Sequence, residues 1–197
     1  VSVGFVQGGT GLLATDPEAL PESTALRSLA TVAFEPVWIF THTLDLSKGL
    51  GALAGKRIAV GLPGSGNLHV ARQLLGVYGV QANANGTVFV TEGGTAAAKM
   101  LRERQVDALI MIAAPQAQAV QQMLSDGQLR PASLEQVEGL AQRYPYFQPI
   151  TLKRGAVDPA RDLPAADVHL LATTANLVVR EDLHPALDYL LLEAAKQ

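Results

Sequence analysis

Gly55-Lys56-Arg57-Ile58-Ala59-Val60-Gly61-Leu62-Pro63-Gly64-Ser65-Gly66-Asn67 is the stretch whose reading decides the fold. Ile58 and Val60 alternate as a short strand and a glycine-rich turn breaks it. Leu68, Ala71, Leu74, Leu75 and Tyr78 then recur at helical spacing. The order is strand, tight turn, helix N-terminus. First-turn N–H groups point out of such a corner without intrahelical partners, and the helix dipole adds partial positive charge, so the corner suits a carboxylate or a phosphate. Ser65 and Asn67 both fit the N-cap, and both carry side chains able to donate to the same anion. The plain alternative is a turn that only caps a helix.

Three sharper patterns fail at named residues. Gly61 and Gly66 have P-loop spacing, but Asn67 and Leu68 stand where lysine and a hydroxyl residue belong. A dinucleotide fingerprint lacks its third glycine at His69 and has no acidic residue at the required distance before Glu92. The nucleophile-elbow pattern fails because Pro63 and Asn67 occupy the glycine positions flanking Ser65.

The chain of 197 residues, 48% hydrophobic, is long enough for one large domain or two small lobes with a packed core. Its formal charge of −3 and scattered Lys and Arg argue against a nucleic-acid partner. Without cysteine there is no thiol catalysis, disulfide or cysteine metal site, which is compatible with an extracytoplasmic protein. His42, His69, His169 and His184 have no partners at i+3 or i+4, so no metal site is expected, and no cofactor is implied. No apolar run approaches the roughly 20 residues of a membrane span, and no signal peptide is apparent. Val1-Ser2-Val3-Gly4-Phe5-Val6 reads as a strand from its first residue, so the chain is expected to begin inside a larger fold.

Further along, Gln7-Gly8-Gly9-Thr10-Gly11 is a second glycine corner, either a flexible turn or a ligand-facing loop. Residues 16–23 read as loop. Residues 29–34 and 37–41 are β-rich and are expected to be separated at Glu35-Pro36. Trp38 is the only tryptophan, a core anchor or a stacking surface for ligand, and it is kept among the candidate ligand residues. Residues 43–54 form a candidate hinge. Asn83-Ala84-Asn85-Gly86 marks a turn before the strand at 87–90. Residues 107–114 are a nearly continuous apolar strand ending at Pro115, where a helix over 116–124 makes a third corner near Ala114 and Gln116. Ser133-x-x-Gln136 resembles a capping box for a helix over 134–143. Residues 158–167 make a second hinge, 168–179 a strand, and Asp182 caps a last helix with Leu187, Leu190, Leu191 and Ala194 on one face.

Alternating short strands and helices argue an α/β fold with mainly parallel strands. The two hinges divide the chain into a first lobe, 1–50 with 166–197, and a second lobe, 51–165. Ligands of such sheets bind outside the carboxyl ends of the strands, where all three corners lie.

Gly4-Phe5-Val6-Gln7-Gly8-Gly9, the strand Leu29 through Glu35-Pro36-Val37-Trp38, the run Leu53-Ala54-Gly55-Lys56-Arg57 into Gly61-Leu62-Pro63-Gly64-Ser65-Gly66, and Leu177-Val178-Val179-Arg180-Glu181-Asp182-Leu183-His184-Pro185 occur in this order. The order resembles the TAXI family of TRAP-transporter solute receptors. The resemblance implies a type II periplasmic-binding-protein fold, two α/β lobes closing on a solute that membrane permease subunits then receive. It implies that the first part of lobe one is missing, and that the full-length protein is periplasmic or otherwise extracytoplasmic and can carry a membrane anchor. The solute implied is a small carboxylate, amino-acid-like or dicarboxylic, held by hinge closure without chemistry. Its expected contacts are Gln7, Gly8, Gly9 and Thr10 from lobe one and Ser65, Gly66 and Asn67 from lobe two, with Trp38, Ala114 and Gln116 as neighbours. No arginine sits in an obvious corner position. Two other readings stand beside it: an effector-binding domain of a transcription regulator, and a transferase or hydrolase using Ser65 with His69 as base.

Overall fold

The computed structural model describes residues 3–9 and 26–195. Eight strands form one mixed sheet: β1 (Val3–Gln7), β2 (Leu26–Thr41), β3 (Arg57–Ala59), β4 (Val88–Val90), β5 (Ala108–Ile112), β6 (Arg130–Pro131), β7 (Phe147–Leu152) and β8 (Val168–Arg180). Among the described residues five α-helices accompany it: α1 (Gly66–Val77), α2 (Gly94–Arg102), α3 (Gln118–Ser125), α4 (Val137–Arg143) and α5 (Pro185–Ala194). The strand order is β1-β8-β2-β5-β3-β4, with β6 added to β2 and β7 to β8.

The α/β class agrees with the alternation in the sequence, but the strand directions correct it. Among the described strands only β3–β4 and β3–β5 are parallel. The pairings of β1 with β8, and of β2 with β5, β6 and β8, are antiparallel, as is that of β7 with β8. The parallel expectation holds where strands are joined through helices, from β3 through α1 to β4 and through α2 to β5. It fails for β2 and β8, which run against each other along 16 and 13 residues.

These two long strands carry the architecture. Residues 37–41 of β2 are buried on both faces. Val37 and Ile39 join a cluster with Leu50, Leu53, Leu74, Leu75 and Val137. Trp38 and Phe40 face the opposite way, into a cluster with Leu101, Val120 and Met123. Because side chains alternate across a strand, one five-residue run supplies the floor of both layers. The other half of β2 lies at intermediate or full exposure; β8 pairs along it, with β1 on the far side of β8, and Arg27 of this half pairs with Asp188 of α5. Register shifts between Ser28 and Ala30 and between Thr31 and Ala33 let the pair bend between the two halves.

Local expectations met several corrections. Glu35-Pro36 does not split β2: Pro36 pairs opposite Ala172, and its carbonyl accepts from the Ala113 N–H at 3.4 Å. Ser133 does not cap α4; its hydroxyl accepts from the His169 N–H at 2.9 Å, tying the chain to β8. α4 starts after Gln136 with no side-chain cap. α3 starts at Gln118 rather than at Pro115. Asp182 pairs with Arg180 instead of capping, and His184 caps α5, its Nδ1 accepting from the Ala186 N–H at 3.2 Å. α5 buries none of its residues, and Leu187, Tyr189 and Leu190 stay exposed, so its predicted core face is not a core face here. The turn at 83–86 is as the residues require: Asn83, Asn85 and Gly86 all take positive φ.

Candidate functional site

A cleft of about 840 Å³ opens between the edge of the β1–β8–β2 half and the N-terminal end of α1. One wall is Phe5, Val6 and Gln7 of β1, Glu35 of β2 and Ala175 of β8. The other is the turn at 63–66, then Leu68, His69 and Arg72 of α1, with Thr91 beside them. The glycine turn does what its residues dictate. Gly61 and Gly64 take positive φ, at 101° and 72°, so the chain reverses sharply out of β3. Ser65 is the N-cap: its Oγ accepts from the Leu68 N–H at 3.2 Å and donates to the Leu62 carbonyl at 2.7 Å. The first turn of α1 carries no acidic residue, so its positive end faces the cleft without an internal counter-anion.

The two walls meet at Gln7. Its Nε2 donates to Glu35 Oε2 at 3.4 Å, and its Oε1 sits so close to Gly66 that any Cβ there would overlap it. Glycine at 66 thus lets β1 approach the helix end, a requirement of contact rather than of backbone angle. Gly8 and Gly9 lie behind this contact. The Gly8 N–H donates to the Thr174 carbonyl at 2.6 Å and the Gly8 carbonyl accepts from Thr173 Oγ at 2.8 Å, which anchors the end of β1 on β8. Gly9 takes φ 86° with the Tyr146 ring against it, where a Cβ would stand 2.6 Å from a ring carbon. Tyr146 in turn donates to Gln73 Oε1 on α1 at 2.8 Å and packs on Phe147 with centroids 4.6 Å apart. Burial, and then the neighbouring Tyr144, push the Tyr146 hydroxyl above its ordinary range and keep it a donor. Gly9→Ala is expected to cost about 1–2 kcal/mol, from the left-handed backbone and the displaced ring, read as a lower midpoint in denaturant unfolding.

Of the residues expected at the site, Gln7, Ser65 and Gly66 line the cleft together. Gly8 and Gly9 support it from behind, and Thr10 lies outside the described residues. Asn67 is spent elsewhere. Its Nδ2 donates to the Val60 and Ile110 carbonyls at 2.7 and 3.0 Å, and its Oδ1 accepts from the Ile112 N–H at 2.6 Å. Trp38 is 1% exposed, stacked on Phe40, with Nε1 donating to the Ala113 carbonyl at 2.9 Å, and it faces a core cluster rather than the cleft. Ala114 and Gln116 are exposed and do not line the cleft.

Sequence reasoning passed over Arg72, Glu35 and Thr91, and weighed His69 only as a base. The signal for these side chains was present: Ser65, His69 and Arg72 stand at i, i+4 and i+7, one face of a helix. Arg72 is an arginine at the corner after all, two turns into α1. Among the described residues no carboxylate pairs with it, and no cluster of His, Asp or Glu suits a metal. Ser65 Oγ is engaged by Leu62 and Leu68, and no hydrogen bond joins it to His69.

A mixed open sheet with two long antiparallel strands, flanking helices, and a cleft at the helix end defines an α/β domain of the periplasmic-binding-protein kind, the fold of solute-binding domains. The chain belongs to the NMT1-like family, whose model matches residues 1–195. Among curated proteins, none matches it. Similar solved structures include the CcmR regulatory domain of Synechocystis PCC6803 in complex with 2-PG, at TM-score 0.54 and 11% identity, covering 98% of this chain and 71% of that one. An ancestral arginine-binding protein bound to arginine aligns at TM-score 0.51 and 12% identity, covering 90% of this chain and 61% of that one. The periplasmic VFT2 domain of Bordetella pertussis BvgS aligns at TM-score 0.52 and 15% identity, covering 100% of this chain. This chain spans 61% of the length of each of the latter two. At these identities the likeness establishes the fold.

Proposed function

We propose that the chain belongs to an extracytoplasmic receptor of a TRAP-type transport system, of the TAXI kind, which captures a small carboxylate by hinge closure and presents it to permease subunits. Lobe one would comprise 1–50 and 166–197 and lobe two 51–165, with β2 and β8 as the strands about which they move. The reading is carried by one observation: an α1 N-terminus without an internal anion, with His69 and Arg72 on the same helix face, opens into the cleft between the two walls. Backbone N–H groups, the helix dipole and a guanidinium together favour a carboxylate. Solute touching both walls favours the closed arrangement by the difference in its affinity for the two states. No chemical step is assigned, because Ser65 lacks a hydrogen-bonded base.

Titration of the chain with amino and dicarboxylic acids, followed by thermal unfolding, tests this. A ligand at about a hundred times its Kd should stabilise the chain by about 2.7 kcal/mol and be recovered unchanged. Arg72→Glu should weaken that ligand at least about tenfold, since a charge-assisted contact is replaced by repulsion. It should barely move the unliganded midpoint, because Arg72 is exposed and makes no ion pair among the described residues. Equal affinity in Arg72→Glu, or a ligand recovered chemically altered, would overturn the reading. The likeness to the CcmR regulatory domain favours a second reading, the effector-binding domain of a regulator on the same fold. A DNA-binding segment on the same polypeptide would decide for it.

A further inference from the structure

We infer that a basic surface, at the end of the sheet where β3, β4 and β5 begin, docks the chain on an anionic phospholipid bilayer and leaves the cleft free. This surface is separate from the cleft and independent of the solute held there.

Lys56 and Arg57 stand at the start of β3, and Lys99, Arg102 and Arg104 at the end of α2. Folding joins the two groups: Arg57 Nη2 donates to the Arg104 carbonyl at 2.9 Å, and the Arg57 N–H donates to Asp107 Oδ2 at 2.8 Å. β3 runs parallel to β4 and β5, and its other end leads into the turn that lines the cleft, so patch and cleft lie at opposite ends of these strands. Two carboxylates offset part of the charge: Asp107 pairs with Arg57 at 3.2 Å and Glu103 with Lys99 at 3.8 Å. Lys56, Arg102 and Arg104 make no ion pair or side-chain hydrogen bond among the described residues. The surface is positive in a chain whose formal charge is −3.

Arg104 is held there against its backbone preference. It takes φ 57°, its N–H donating to the Leu101 carbonyl at 3.0 Å and the Gln105 N–H to the Met100 carbonyl at 2.9 Å, which closes α2 in a Schellman turn. That position favours glycine, because a Cβ crowds the backbone in the left-handed region. The other described non-glycine residues with positive φ are Asn83, Asn85 and Asp162, types that tolerate it. An arginine that strains the chain and pairs with nothing in it is accounted for by a contact outside the chain. Val88, 45% exposed, stands opposite Arg57 in register and sets an apolar side chain among the cations. Long cationic side chains around an apolar one suit the boundary between phosphate headgroups and acyl chains. An acidic protein would have to place its carboxylates to match these cations, whereas a bilayer offers phosphates at every position.

Co-sedimentation with vesicles tests the docking, with phosphatidylglycerol and phosphatidylcholine in equal parts set against phosphatidylcholine alone. The chain should bind the mixed vesicles and not the neutral ones, and should be released in about 1 M sodium chloride, where the screening length falls to about 3 Å. Arg104→Gly should weaken vesicle binding about fivefold, the effect of removing one cation from such a surface. Its urea-unfolding midpoint should hold or rise, because glycine relaxes the left-handed turn, so the loss of binding is not a loss of folding. Arg102→Gln, an exposed helical position, should lose as much binding, while Arg143→Gln, which removes the same charge from α4, should lose none. The docking surface is refuted if the mixed vesicles are not bound, if binding survives high salt, if Arg104→Gly binds like the parent chain, or if Arg143→Gln weakens binding equally. Preference for poly-glutamate over vesicles of matched charge would assign the patch to an acidic protein and refute it as well.

Discussion

Trp38→Ala is expected to lower the folding free energy by about 3–5 kcal/mol, the usual range for truncating a fully buried aromatic residue. The side chain is 1% exposed, stacked on Phe40 at 5.9 Å between centroids, and packed where α2 and α3 cover the sheet. Its Nε1–H donates to the Ala113 carbonyl at 2.9 Å, so the residue also pins the end of β5 beside β2. Truncation opens a cavity at the floor of one layer and leaves that carbonyl without its partner. Trp38→Phe keeps most of the volume and loses the hydrogen bond, and it should retain all but about 1–2 kcal/mol. Urea unfolding of both variants checks the ranking. If Trp38 instead stacked on solute, Trp38→Phe would unfold normally and lose ligand affinity, and the packing account would be wrong.

Asn67→Ala is expected to cost about 2–4 kcal/mol, unusually much for a polar residue at a helix start. The ladder of β3 with β5 ends at Ala59 and Leu109. Beyond it the amide of Asn67 continues the pairing from the side, donating to Val60 and Ile110 and accepting from Ile112. Gly61, at φ 101°, leaves room for it, since a Cβ there would lie 2.6 Å from Nδ2. Removing the amide leaves a partly buried N–H and two carbonyls short of partners, which is the expensive way to lose a hydrogen bond. Asn67→Asp should be no better at neutral pH, because an anionic oxygen would face two carbonyls. Denaturant unfolding against Ser65→Ala makes the comparison: loss of the Ser65 cap should cost only about 1 kcal/mol. An Asn67→Ala effect no larger than that of Ser65→Ala would return Asn67 to the role of a simple capping or ligand-facing side chain.

The legible parts of the site were those set by neighbours in the chain. The corner at 61–66 follows from glycine's access to positive φ and from Ser65 as cap, and both are local properties. Gln7 was legible as the end of a strand running into glycines. Asn67 was misread because a side chain that fits a helix cap on paper fits a gap between two strands equally well in space. The separation of β3 and β5 beyond their ladder is a fact of packing. Glu35 was passed over because it was read only as the partner of a strand-breaking Pro36. Its place on the cleft wall depends on the register of β2 against β8, Glu35 opposite Thr173. Arg72 needed only the helical repeat already applied to the apolar face of α1. The solvent side of that helix becomes a site only once β1 is known to stand against its first turn.

Periodicity and turn chemistry alone determined the α/β class and the strand–turn–helix corner, since strand alternation, helical spacing and glycine's φ range act over a few residues. The tertiary structure alone decided strand direction in β2 and β8, the engagement of Asn67 and Trp38 in support of the sheet, and the meeting of Arg72, His69 and Glu35 in one cleft. Those outcomes depend on contacts between β1, β2, α1 and β8, in which residues as distant in sequence as Val3 and Val179 pair. Only the register of the folded sheet brings such distant residues together.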